Sequence, residues 1–164
     1  MGEAIAHRGP DGHGSFVDGP MALAHRRLAI IDLTSAAAQP MASADGRYVL
    51  IFNGEIYNYR ELRPVLTAAG CVFRSQSDTE VLLNALITWG EEALPRLNGM
   101  FAFAFWDSWE RRLLLARDRY GIKPLYISQR GNSLIFGSEV KALLEHPDCS
   151  AEVDPDALVE YFTF

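Results

Sequence analysis

Four short stretches carry side chains that could do chemistry together. In "YVLIFNGEIYNYREL", Asn53-Gly54-Glu55 follows five apolar residues, Tyr48 to Phe52. Asn-Gly between two apolar runs usually signals a tight hairpin. Here the following run places Leu62, Val65, Leu66 and Ala69 at i, i+3, i+4 and i+7, the spacing of a helix face. Asn-Gly therefore serves something other than a hairpin. Asn53 offers a side-chain N–H, and Gly54 a backbone N–H with no side chain obstructing approach. Two converging donors at a strand end are what an oxyanion hole requires. A turn that simply favours Asn and Gly is the plainer alternative.

Arg27 lies in "AHRRL", where strand alternation turns Arg26 and Arg27 to opposite faces. One of the two can grip a carboxylate with both arms of its guanidinium; otherwise each is a solvated strand arginine. Asp78 follows Ser77 in Ser77-Asp78-Thr79-Glu80, a capping box that opens a helix. A carboxylate there complements the helix dipole, and it could also capture a ligand ammonium. Glu55 could share that task. Two carboxylates and an arginine match an α-amino acid.

Other chemistries find little support. His7, His13, His25 and His146 lack metal-ligand spacing, and no Cys-x-x-Cys occurs. There is no Gly-x-x-x-x-Gly-Lys phosphate loop, and "GPDGHG" follows no strand, so it is a poor dinucleotide fingerprint. Cys71 sits in an apolar stretch and reads as packed. Cys149 sits in "HPDCSAE", a loop with nothing to activate a thiol.

The elements that must position these residues read as follows. "AHRGPDGHGS" is a loop. "SFV" and "MALAHRRLAII" pair around Asp18-Gly19, and "YVLIF" is a strand covered on both faces. Residues 58–69 form a helix closed by Gly70, "CVF" is a short strand, and the capping box opens a second helix. "MFAFAFWD" sets Phe101, Phe103 and Phe105 on one face against Ala102 and Ala104 on the other, which suits a sheet between two layers. "RLLLARD" returns beside it. "PLYISQ" and "SLIFGS" form a hairpin, and short helices follow at Glu139–Leu144 and Pro155–Tyr161. The class is α+β: two antiparallel sheets with helices outside.

At 164 residues the chain is one ordinary domain, and a net charge of −6 argues against a nucleic-acid partner. The longest apolar stretch, Met100 to Trp106, is far short of the ~20 residues that span a bilayer. Two cysteines make no disulfide framework, which points to a reduced, cytoplasmic setting.

Seven ordered stretches together resemble one family: "HRGPDGHG" (7–14), "LAHRRLAIIDL" (23–33), "NGEIYNYRELR" (53–63), "SDTEVLL" (77–83), "GMFAFAFWD" (99–107), "RDRYGIKPLY" (117–126) and "SEVKALL" (138–144). They look like the glutaminase half of glutamine-hydrolysing asparagine synthetases, which are class II amidotransferases. The resemblance implies the N-terminal-nucleophile hydrolase fold, with helices enclosing two antiparallel sheets (α-β-β-α). It implies that Asn53 and Gly54 hold the oxyanion formed from glutamine's carboxamide. By the same resemblance Glu55 and Asp78 hold the α-amino group and Arg27 the α-carboxylate, while backbone groups of Leu28, Ala29, Ile30 and Ile31 line the pocket.

Two departures set further expectations. The family's nucleophile is an N-terminal cysteine, and no cysteine matches it here, since the sequence opens Met1-Gly2-Glu3. "MGEAIA" resembles the tail of a helix preceded in the family by a first strand, so the chain is expected to lack that strand and to be inactive alone. The ATP-binding loop of the synthetase half is likewise absent. Residues 1–150 are expected to be the glutaminase domain, and 151–164 the start of a connection to a synthetase domain. No cofactor is expected in this chain; ATP and Mg2+ belong to the absent half. Glutamine, that synthetase domain and a homodimer of the longer protein are the implied partners. Other readings are a related class II amidotransferase, or a pseudo-glutaminase of the peptide-tailoring or β-lactam-synthetase type serving as a non-catalytic binding module.

Overall fold

Alternation in "GMFAFAFWD" writes the central layer. β5 (Gly99–Asp107) turns Phe101, Phe103 and Phe105 to one face, and Ala102, Ala104 and Trp106 to the other. In the computed structural model, which describes residues 1–163, β5 lies inside an antiparallel sheet. The order is β3 (Met41–Ala42), β4 (Tyr48–Ile56), β5, β6 (Arg112–Arg117). The Phe face is covered by α1 (Tyr59–Ala68) and α2 (Asp78–Trp89), through Leu62, Leu66, Val81, Leu82, Ala85 and Leu86. Burying each phenylalanine contributes about 1.5–3 kcal/mol.

The small face receives two hairpins, β1–β2 (Gly12–Asp18 and Met21–Arg27) and β7–β8 (Tyr126–Arg130 and Ser133–Gly137). Leu23, Phe16, Met21 and Phe136 pack there against Val49, Ile51, Ala104 and Trp106. A 3-10 turn at Glu3–Arg8 and the short helix α3 (Val140–Leu143) cover the hairpins from outside. Arg26 faces that outer side: its Nε donates to the Gly2 carbonyl at 3.1 Å, and its guanidinium pairs with Glu3. The layers are helix, sheet, sheet, helix, as expected. The second sheet, however, consists of two hairpins that share no hydrogen bond among the described residues.

Several local expectations are corrected. Asn53-Gly54 does not end its strand; β4 continues to Ile56, because β5 pairs with it as far as Gly99. β2 stops at Arg27 rather than Ile31. Cys71-Val72-Phe73 is not a strand, since no neighbour offers an edge there, and Val72 is 82% exposed. The capping box is half-made: Ser77 Oγ accepts the Glu80 N–H at 3.2 Å, but the Glu80 carboxylate turns instead to the N–H groups of Arg74 and Ser75. "AHRGPDGHGS" is partly ordered, into the 3-10 turn and the start of β1. α1 ends where expected, with Gly70 at φ +94°, a conformation glycine adopts without strain. α4 (Pro155–Thr163) is exposed along its length, and Phe164 lies outside the described residues.

Asp118, in "RDRYGIKPLY", ties the β6 end of the sheet to the loop that follows. Its carboxylate accepts N–H bonds from Phe101, Tyr120, Ile122 and Lys123, at 2.9–3.2 Å. Burial opposes its ionisation, but those four donors outweigh burial and hold its pKa at about 2.

Candidate active site

The register of β4 decides which backbone groups are free. Phe101 directs its N–H to Asp118 Oδ2 and its carbonyl to the Asp118 N–H, both on the β6 side. The Gly54–Phe101 pair is therefore the non-hydrogen-bonded kind, and Gly54 turns its own N–H and carbonyl away from β5. Along that outer edge, β3 pairs only with Val49 and Leu50. Beyond it, side chains satisfy the backbone groups of β4. Gln39 Oε1 accepts the Phe52 N–H at 2.6 Å, His25 Nε2 lies 3.1 Å from the Phe52 carbonyl, and Asp78 Oδ2 accepts the Ile56 N–H at 3.0 Å. Gly54 sits between these anchored residues. It lines a cavity with Asn53 and Glu55.

Asn53 and Glu55 project from the opposite set of β4 positions, into the layer occupied by the β1–β2 hairpin. Asn53 Nδ2 is buried and has no acceptor among the described residues. A donor left unpaired in the interior is costly and needs an explanation. Asn53 and Gly54 are consecutive residues, and both line the same cavity.

Asp78, the first residue of α2, is only 6% exposed. Burial raises its pKa above the ordinary carboxylate value. The Ile56 N–H opposes that shift, and the neighbouring Glu55 charge adds to it. Neither Asp78 nor Glu55 forms an ion pair among the described residues, and two neighbouring carboxylates of this kind can favour a bound ammonium.

Arg27 shares with His25 the face of β2 turned to the central sheet. Its guanidinium donates to the carbonyls of Asp32 and Thr34. It thereby pins the 28–34 loop, and its remaining donors stay available to a ligand. Asp32 completes that clamp, accepting N–H bonds from Thr34 and from Gln76, both at 2.8 Å. Asp11 Oδ2 accepts the Ala29 N–H at 2.9 Å.

All nine residues singled out from the sequence, Arg27, Leu28, Ala29, Ile30, Ile31, Asn53, Gly54, Glu55 and Asp78, line one cavity of about 990 Å³. The volume is at the upper end of small-molecule sites, about 300–1,000 Å³. The cavity is a trough. Ile51, Ala102 and Ala104 contribute to its floor, β2 forms one wall and β8 the other, and Met1 and Gly2 also line it. Sequence reasoning missed three members: Gln39 and His25, which hold the Phe52 peptide, and Asp32. His25 was legible in part, since two residues before Arg27 on a strand means the same face. Cys71 and Cys149 are not in the cavity. Cys71 packs near α2, with Sγ 3.3 Å from Thr88 Oγ1, and Cys149 follows α3 in a loop. Among the described residues no group of three or more potential ligands could hold a metal ion, and no helix is long and apolar enough to cross a membrane.

A family model described as "Glutamine amidotransferase domain" matches residues 1–164. Asparagine synthetase [glutamine-hydrolyzing] 3 of Bacillus subtilis is 44% identical over 164 residues, 99% of this chain and 26% of that protein. A putative asparagine synthetase [glutamine-hydrolyzing] of Mycobacterium tuberculosis is 45% identical over 170 residues, 96% of this chain and 26% of that protein. Among solved structures, the glutamine phosphoribosylpyrophosphate amidotransferase of B. subtilis, complexed with ADP and GMP, matches with a TM-score of 0.70. It shares 25% identity over 85% of this chain and 38% of its own. The chain thus spans about a quarter of the length of these curated relatives, 26% in each case.

Proposed function

The chain belongs to the glutamine amidotransferase domain family, and from that premise we propose that its cavity is the glutamine site of an asparagine synthetase. The observation that carries the proposal is an unsatisfied Asn53 Nδ2 next in sequence to Gly54 at the sheet edge, in one cavity with Asp78 and Glu55, neither of which is ion-paired among the described residues. Glutamine's ammonium would sit between Asp78 and Glu55. Its α-carboxylate would take the free donors of Arg27, with the backbone of Leu28 to Ile31 alongside. The side-chain carboxamide would then reach Asn53 and Gly54.

Attack on that carboxamide by a thiolate forms a C–S bond and places negative charge on the oxygen. The two donors stabilise this charge as it develops, and they need no reorganisation to do so. Ammonia leaves, and water resolves the thioester to glutamate. Cys71 and Cys149 are outside the cavity, so the attacking thiol must be delivered by another segment. Met1 and Gly2 line the cavity together with residues of β2 and β8, and a strand carrying the thiol would lie between those two elements. The N-terminal-nucleophile architecture of the family accommodates such a delivery.

Beyond the glutaminase step, the released ammonia would serve an ATP- and Mg2+-dependent synthetase domain in a longer cytoplasmic protein, itself a homodimer. Residues 151–164 would begin the connection to it.

Glutamate release from glutamine tests the proposal. Residues 1–164 should release none, and the same chain carrying an N-terminal cysteine-bearing strand should turn over glutamine. Release by residues 1–164 alone would contradict this assignment of the nucleophile. Silence in both folded forms would favour a non-catalytic binding module.

A further inference from the structure

His25 lies two residues before Arg27 on β2 and faces the same interior layer. Its Nε2 is 3.1 Å from the Phe52 carbonyl oxygen. A carbonyl only accepts, so Nε2 carries the proton and Nδ1 is left as a lone-pair acceptor. That Nδ1 is buried and has no donor among the described residues. Burial, reinforced by the nearby Arg27 charge and opposed by the Phe52 carbonyl, lowers the imidazole pKa to about 4. The ring is therefore neutral at physiological pH, and Nδ1 stays an acceptor.

Asn53 Nδ2, the adjoining orphan, is a donor without an acceptor. Phe52 and Asn53 are consecutive, so the group that His25 holds through Nε2 is the peptide leading into Asn53. His25 and Asn53, which carry this buried acceptor and this buried donor, are both lining residues of the cavity that holds the proposed oxyanion site. A primary carboxamide complements that pair, since its oxygen accepts and its nitrogen donates. A carboxylate does not, because it has no N–H to give and would set a lone pair against Nδ1.

We infer that His25 is a specificity-determining residue, whose Nδ1 accepts an N–H of the substrate carboxamide while Asn53 Nδ2 donates to its oxygen. This deepens the glutamine assignment and rests on it. The imidazole distinguishes glutamine from glutamate, so it also favours release of the product acid.

L-glutamine and L-glutamate are titrated into the chain and into its His25→Phe variant, which keeps an aromatic ring but removes the acceptor. Glutamine affinity should fall about tenfold or more in the variant. Glutamate affinity should barely change, so the preference collapses. In the unsubstituted chain, the 15N resonance of His25 Nδ1 should move on saturation with glutamine and not with glutamate. A residue that only braces Phe52 would show no such selective shift. The NMR measurement also decides the matter should His25→Phe fail to fold. A folded variant that keeps the preference, or an unmoved Nδ1 signal at saturating glutamine, overturns the role of His25 and leaves the glutamine site standing. If the unsubstituted chain binds no glutamine, the parent assignment falls and this inference with it.

Discussion

Asp78→Asn should cost at least about 3 kcal/mol of glutamine affinity, a hundredfold or more, while the fold gains rather than loses stability. The affinity loss follows from burial. Asp78 is 6% exposed, so an ammonium beside it is shielded from water and its attraction is little screened. The stability gain follows from linkage. Asp78 has a folded-state pKa raised above the unfolded value, chiefly by burial and secondarily by Glu55. Stability tied to this group is therefore fully present below the unfolded pKa, and it is lost as pH rises through the folded one. At pH 7 the ionised side chain works against folding. Asparagine removes that charge, and its oxygen can still accept the Ile56 N–H that Asp78 accepts at 3.0 Å. Denaturant unfolding should therefore show a higher midpoint for Asp78→Asn at pH 7, and a smaller difference from the unsubstituted chain below the ordinary carboxylate range. A large loss of stability at pH 7 would mean that the charged hydrogen bond outweighs burial.

The second large effect is expected at Gly54. A Cβ there would lie 2.1 Å from the Met100 carbonyl oxygen, 2.8 Å from Phe101 Cα and 2.8 Å from the Phe52 ring. Two of these neighbours are backbone in the middle of the central sheet, so neither can swing aside. Gly54→Ala must push β4 away from β5, at a cost of about 1–3 kcal/mol or more. The same displacement moves the Gly54 N–H off its position at the sheet edge. In a cysteine-bearing form of the chain, turnover should fall about 10²–10³-fold, the usual loss for one oxyanion donor. Unfolding midpoints and glutamate release check the two parts separately. A variant with unchanged stability would refute the close strand approach.

The same region shows what the sequence conveyed and what it withheld. The two faces of β5 were legible because Phe and Ala alternate without interruption. The capping residue Ser77, the helix stop at Gly70 and both hairpins were legible from local turn and cap chemistry. Asn53-Gly54 was legible as something other than a hairpin and as two candidate oxyanion donors, but its place inside a strand was not. Its place inside β4 depends on β5 pairing as far as Gly99, where a Cβ would lie 2.2 Å from the Glu55 carbonyl oxygen. Such long-range register leaves no local mark. Glu80 looked like the reciprocal half of a capping box, yet tertiary placement gave it the N–H groups of Arg74 and Ser75 instead. Arg27 could be assigned a face but not partners, because the 28–34 loop that it clamps has no periodicity. His25 was judged by metal spacing alone, and its buried tautomer emerges only when β2 is laid against Phe52.

The central claim is that this cavity recognises glutamine through Asp78 and Glu55 at one end and Asn53 and Gly54 at the other. Calorimetric titration of L-glutamine into the folded chain, at pH 7 and through a descending pH series, tests it most directly. Saturable one-site binding that weakens as the pH falls is the predicted result, because a proton then competes with the ammonium for Asp78. A folded chain that takes up no L-glutamine, or that binds D-glutamine equally well, would contradict it.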